Sequence, residues 1–225
     1  MQTNEKTTKS RLFRMVGIAL FCALAYVAML LIHFPVSFLT LDPKDAIITL
    51  CGLCFGPISA LVSSLVVALL EMVTVSSTGP YGLLMNFVSS ASFILPAAIL
   101  FRVRRTRFSA MVGLGLSVVV MVGVMLPMNL LITPLYQNVP RSVVADMIPG
   151  TLLPFNIIKA IMNAALTALL FQPVRRALNG VKILPPDEER RRVPAWVLPV
   201  VAGAVAVAAV LIFFLVLDGK FSLFR

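Results

Sequence analysis

Seven apolar stretches restrict the folds that this chain can adopt more than any other feature. They cover residues 12–34, 46–55, 57–75, 83–101, 108–133, 153–172 and 195–217. Most reach the ~17 to 25 residues that cross the hydrocarbon core of a bilayer as a helix. None shows the alternation of polar and apolar residues that is typical of an outer-membrane β-barrel strand. We therefore predict an all-α integral membrane protein of seven helices, with the lipid bilayer as its surroundings.

The composition supports a membrane protein and argues against nucleic-acid binding. Hydrophobic residues make up 60% of the chain and charged residues 12%, whereas an average soluble domain has about 25% charged residues. The formal net charge of +10 comes from basic residues gathered in short connecting segments. A nucleic-acid surface needs them on one water-exposed face instead.

The distribution of basic residues fixes the number of helices and their orientation. Residues 46–55 span only ~15 Å as a helix, so a single tilted helix over residues 46–75 is the alternative to a break at Gly56-Pro57. With the break, 14 of the 19 Lys and Arg residues lie on one side, which the positive-inside rule assigns to the cytoplasm. We therefore expect a cytoplasmic N-terminus and a multi-pass topology. The predicted parts are six helices within residues 1–178, a charged cytoplasmic linker at 179–194 and an additional transmembrane helix at 195–217.

Several polar side chains fall within the predicted helices, all toward their outer ends. Asn156, Lys159 and Asn163 are spaced i, i+3, i+7 and so share one helical stripe, and Asn86 and Asn129 lie at a similar depth. Amides and an ammonium group suit a neutral, hydroxyl-rich or heterocyclic ligand better than a metal ion. The alternatives are interhelical hydrogen bonds for the asparagines and extension of Lys159 to the outer interface. Glu71 is expected to pair with Lys159 or Lys44.

The sequence lacks the residues that catalysis or ATP hydrolysis would need. It has no GxxxxGK[ST] motif, and His33 is its single histidine. Cys51 and Cys54 have no second Cys or His pair with which to hold a metal ion. We therefore predict neither an enzyme nor a metal or organic cofactor.

A set of motifs resembles one transporter family over about residues 14–176. They are Leu41-Asp-Pro-Lys-Asp45, Phe55-Gly-Pro57, Thr78-Gly-Pro-Tyr-Gly82, Met85-Asn-Phe87, Asn129 with Pro134-Leu-Tyr136, and Pro154-Phe-Asn-Ile-Ile-Lys159. In this order they resemble the riboflavin-binding S component, the substrate-capture subunit, of energy-coupling-factor (ECF) transporters. The resemblance implies a six-helix bundle in the bacterial cytoplasmic membrane. It also implies that the bundle takes riboflavin from the outside and delivers it to an ECF transmembrane coupling subunit with two ATPase subunits.

The resemblance also implies roles for particular residues. Riboflavin contacts are implied for seven residues: Asn86, Asn129, Asn156, Lys159, Thr78 and Gly79 in the adjoining outer loop, and Phe87 over the ring system. The small residues Ala19 and Ala23 on the first helix correspond to the docking face for the coupling subunit. Ser63 and Ser64 stand where many family members have an acid on the third helix. Another vitamin or precursor as the ligand, and a membrane scaffold without transport, remain the alternative functions.

Overall fold

The computed structural model describes residues 2–36 and 38–180, with side chains from residue 11 onward. Seven helices and a small β-hairpin follow one another along the chain. They are α1 (Gln2–Leu31), β1 (Phe34–Val36), β2 (Leu39–Leu41), α2 (Lys44–Phe55), α3 (Pro57–Thr74), α4 (Gly79–Arg104), α5 (Arg107–Gln137), α6 (Arg141–Met147) and α7 (Leu153–Gly180), with a π-helical turn at Ile148–Leu152 before α7.

Five helical segments are long and apolar enough to cross a membrane: Arg11–Leu31, Pro57–Thr74, Gly79–Arg104, Arg107–Gln137 and Arg141–Gly180. Together with α2 they account for the six helices predicted before residue 179. The prediction of a mostly helical membrane bundle is therefore confirmed for the described residues. The additional helix predicted at 195–217 and most of the linker predicted at 179–194 lie outside the described residues.

The short helix α2 occupies the centre of the bundle. It contacts α1, α3, α4 and α7, and most of its residues are buried. It ends at Phe55, the capping residue Gly56 has φ 99° and ψ 167°, and Pro57 begins α3. Proline suits the first turn of a helix because its missing N–H would have no helical partner there. The predicted break between the second and third helices is therefore confirmed.

Several predicted boundaries were wrong because they followed hydrophobicity alone. Helix α1 ends at Leu31, and the antiparallel hairpin of β1 and β2 follows it. Helix α4 begins at Gly79, four residues before the predicted start, so Gly79 belongs to the helix and Thr78 precedes it. Helix α5 continues to Gln137 and α7 to Gly180, each beyond an internal proline. Membrane helices tolerate such prolines because neighbouring groups satisfy the freed carbonyls.

Arginines from three helices gather at the end of the bundle where α2 terminates. The guanidinium of Arg14 donates a 2.7 Å hydrogen bond to the Phe55 carbonyl. Arg102 lies beside Gly56, and the Arg175 guanidinium lies 4.8 Å from the centre of the Phe101 ring. The hairpin and the first turn of α2 lie at the opposite end, so charge is distributed asymmetrically along the bundle.

Replacing Gly56 with alanine should lower the free energy of unfolding by about 1–3 kcal/mol, because its φ and ψ lie in a region that is essentially restricted to glycine. The measurement is SDS-titration unfolding in mixed micelles. Gly115→Ala is the matched control, since a Cβ at Gly115, inside α5, meets no neighbouring atom within 4 Å. Equal effects of the two substitutions would contradict the backbone argument.

Candidate ligand-binding cavity

A cavity of about 240 Å³ lies between the hairpin and the ends of the long helices. Its walls come from the end of α1, the hairpin, the segment from α3 into α4, and parts of α5 and α7. Four of the predicted ligand-binding residues line it, namely Thr78, Asn86, Asn156 and Lys159. Two segments that are distant in the sequence, at the start of α4 and at the start of α7, thus bring their polar side chains to one place.

Lys159 is held at the cavity by two acceptors from the hairpin segment. Its Nζ donates to Asp42 Oδ2 at 3.0 Å and to the Thr40 carbonyl at 3.1 Å. The side chain is only 7% exposed. It therefore points inward, and the alternative in which it extends to the outer interface is wrong.

Asn163, the third residue of the predicted stripe, has a structural task. Its Oδ1 accepts a 2.8 Å hydrogen bond from the Ala46 N–H, and its Nδ2 donates to the Asp42 carbonyl at 3.0 Å. These contacts join α7 to the first turn of α2. The stripe is thus divided, with Asn156 and Lys159 at the cavity and Asn163 behind it.

A second buried ion pair joins α2 to the cavity wall on α3. Lys44 Nζ lies 2.5 Å from Glu71 Oε2 and 3.7 Å from Asp42 Oδ2. Glu71 itself lines the cavity. The predicted pairing of Glu71 with Lys44 is therefore confirmed, and Asp42 connects this pair to Lys159.

Three other predicted site residues, Gly79, Phe87 and Asn129, are not among the described residues that line the cavity. Asn129 is fully buried in α5, where its Nδ2 donates to the Met125 carbonyl at 2.7 Å. Its Oδ1 accepts a 3.2 Å hydrogen bond from the Thr133 hydroxyl. Asn129 thus bonds along its own helix in this structure, and its role toward a ligand stays a prediction.

Aromatic residues form a part of the wall that the sequence did not assign to the site. Phe38, Tyr136 and Phe155 line the cavity. The Tyr136 ring contacts Phe38 edge-on, with ring centres 6.3 Å apart, and stacks on Tyr81 at 6.4 Å. Tyr136 and Phe155 each stand in a quoted motif, but nothing in the spacing indicated that the hairpin would bring Phe38 to them.

The predicted docking residues on α1 lie away from the cavity. Ala19 and Ala23 are exposed on the bundle surface, beside the exposed side chains of Leu20 and Leu24. Their small size leaves a shallow strip on an apolar face. Close helix–helix approach in lipid favours such small residues.

The cavity combines hydrogen-bonding groups with aromatic faces, while its charged groups are already paired. Thr78, Ser76 and Ser77 supply hydroxyls, and Asn86 and Asn156 supply amides. The charges of Lys159 and Glu71 are engaged by Asp42 and Lys44. Ligand sites typically combine apolar walls with a few placed polar groups, and this one suits an uncharged heterocycle with polar edges.

We predict that Glu71→Gln lowers the free energy of unfolding by about 3 kcal/mol, since removing one partner leaves the buried Lys44 ammonium poorly compensated. Replacing both residues, as Glu71→Gln with Lys44→Met, should recover much of the loss. SDS-titration unfolding of the ligand-free protein measures both effects. Asp146→Asn is the control, because Asp146 is exposed on α6. A double variant as unstable as Glu71→Gln alone would contradict the ion-pair explanation.

Comparisons with known proteins agree with this architecture. The family model described as "ECF transporter, substrate-specific component" matches residues 13–171. The chain is 31% identical over 180 residues to the riboflavin transporter RibU of Staphylococcus aureus (strain TCH60), covering 75% of this chain and 92% of the relative. It is 28% identical over 171 residues to the riboflavin transporter FmnP of Bacillus subtilis (strain 168), covering 70% and 90% of the two chains.

A solved structure reported under the heading "Structure and mechanism of the S component of a bacterial ECF transporter" is also similar. It superposes with a TM-score of 0.64 at 30% sequence identity, covering 76% of this chain and 99% of the other. The similarity therefore includes the whole of that S-component fold.

Proposed function

The chain belongs to the substrate-specific components of ECF transporters, and from this membership we propose that it captures riboflavin and delivers it to an ATP-driven importer. It is a transport component and not an enzyme. The observation that carries the choice of ligand is the cavity. It is lined by amides, hydroxyls and aromatic rings, and its charged groups are already paired.

Riboflavin offers the chemical groups that such a cavity can bind. Its ribityl chain carries hydroxyls, and one edge of its ring system carries amide-like donors and acceptors. Both can exchange hydrogen bonds with Asn86, Asn156, Thr78 and the Lys159 ammonium. The two relatives described above are named as riboflavin transporters, which favours this ligand over another vitamin.

We propose that the aromatic rings that line the cavity, Phe38, Tyr136 and Phe155, cover the ring system of riboflavin. Gly79 follows the lining residue Thr78, and Phe87 follows the lining residue Asn86. We keep both as proposed ligand contacts, which requires the first turns of α4 to move when riboflavin enters.

Asn129 acts through a neighbour in this proposal. The Thr133 hydroxyl lies between Asn129 Oδ1, at 3.2 Å, and the Tyr136 hydroxyl, at 3.5 Å. Asn129 thereby supports the ring that faces the ligand.

The orientation follows from the charge asymmetry of the bundle. The arginine-rich end lies in the cytoplasm according to the positive-inside rule, so the N-terminus is cytoplasmic and the cavity faces the outside of a bacterial cell membrane.

The partners are an ECF transmembrane coupling subunit and two ATPase subunits. The strip around Ala19 and Ala23 docks on the coupling subunit. The cytoplasmic linker at 179–194, whose first two residues belong to α7, and the additional membrane helix at 195–217 stay predictions from the sequence.

Asn156→Ala should weaken riboflavin binding by about tenfold, because an amide that faces the cavity is lost and a ligand group is left without a partner. The dissociation constant is measured by quenching of flavin fluorescence, using purified protein in nanodiscs after removal of copurified flavin. Asn179→Ala is the matched control, since Asn179 is exposed near the other end of the same helix. Wild-type protein that neither copurifies with flavin nor binds added riboflavin would refute the ligand assignment.

Ala23→Leu should reduce riboflavin import while leaving the dissociation constant within about twofold of wild type, since the residue is distant from the cavity and sites without shared contacts act independently. Import is followed in proteoliposomes that contain the coupling subunit, both ATPases and ATP. Ala145→Leu, on the exposed face of α6, is the control of equal size change. Normal import by Ala23→Leu would exclude this strip from the docking surface.

A further inference from the structure

We propose that Asp42 is the positioning residue for Lys159, so that the carboxylate at the hairpin–α2 junction sets where the lysine ammonium meets the ligand. The inference rests on the proposed function, because it gives Lys159 a ligand to meet. It adds a residue that does not line the cavity to the machinery of substrate capture.

The Asp42 carboxylate is buried and contacts both of the buried lysines at this end of the bundle. It lies between β2 and α2 and is 1% exposed. Its Oδ2 accepts from Lys159 Nζ at 3.0 Å and lies 3.7 Å from Lys44 Nζ. Its Oδ1 accepts a 3.1 Å hydrogen bond from the Lys44 N–H. Both oxygens are therefore fixed, and the carboxylate cannot rotate without breaking a contact.

Asp42 can affect a ligand only through other groups. It is not among the described residues that line the cavity, whereas Lys159 and Glu71 are. A lysine ammonium has three N–H donors, and Asp42 Oδ2 and the Thr40 carbonyl engage two of them. These two acceptors set the direction of the third donor.

The charge of Asp42 matters as much as its position. Lysine is a compact point charge on a flexible chain, and without Asp42 the buried Lys159 ammonium would lose the carboxylate to which it is hydrogen-bonded. With Asp42 in place, Lys159 can donate to an uncharged ligand without requiring a counter-charge from it.

The test is a double-mutant cycle of Asp42→Asn and Lys159→Met, with riboflavin dissociation constants measured in nanodiscs and thermal stability measured on the ligand-free protein. Each single variant should weaken binding by about tenfold or more, as expected for loss of a charge-assisted hydrogen bond. The double variant should bind no more weakly than Lys159→Met alone, within about threefold, because Asp42 then has no lysine to place. Asp146→Asn, which removes an exposed carboxylate, should bind as wild type.

Other outcomes separate the possible failures. A double variant that binds riboflavin about tenfold more weakly than Lys159→Met would show that Asp42 acts independently of the lysine. Wild-type affinity in Asp42→Asn would show that Asp42 does not affect ligand binding at all. Either result overturns the proposal. If Asp42→Asn fails to fold, the double variant still decides, since it removes the carboxylate and the ammonium together. Full riboflavin affinity in Lys159→Met would also overturn the proposal, because Asp42 would then have no ligand-binding lysine to position. An absence of riboflavin binding in the wild type would instead refute the proposed function.

Discussion

The cavity end of this bundle depends on one carboxylate, Asp42, which lies between two buried lysines. Charges cannot be left unpaired in a low-dielectric interior, where removing one partner costs several kcal/mol. Lys159 on α7 and Lys44 on α2 both approach Asp42 Oδ2, and Lys44 also meets Glu71 on α3. Three helices and the hairpin are thereby fixed to one another at the depth where the cavity opens.

This network of buried charges lies at the start of α2, which is a short helix. Its 12 residues span about 18 Å, well below the ~30 Å of a hydrocarbon core. The helix begins at the level of the buried charges, and the hairpin of β1 and β2 takes up part of the space between that level and the nearer end of the bundle. The cavity lies beneath the hairpin. A second helix of full length would fill the space that a ligand needs.

A helix that begins inside a bundle must satisfy backbone groups that water cannot reach. Side chains from distant segments do so for α2. Asp42 accepts from the Lys44 N–H and Asn163 from the Ala46 N–H, while Arg14 donates to the Phe55 carbonyl. The polar residues of this protein therefore have two tasks. Some close the ends of a buried helix, and others face the cavity.

The difference between these two tasks explains how much of the fold and of the site could be predicted from the sequence. Apolar length predicted the bundle, and Gly56-Pro57 together with the charge distribution predicted the break, because these signals do not depend on which helices pack together. The i, i+3, i+7 spacing correctly placed Asn156, Lys159 and Asn163 on one side of α7, but spacing cannot say which of them reaches a cavity. Phe38 and Asp42 were not predicted as part of the site, since the fold of the hairpin brings them there. The carboxylate that fixes the lysine stands 117 residues away from it along the chain, and a pairing at such a distance becomes visible only when the helices are assembled.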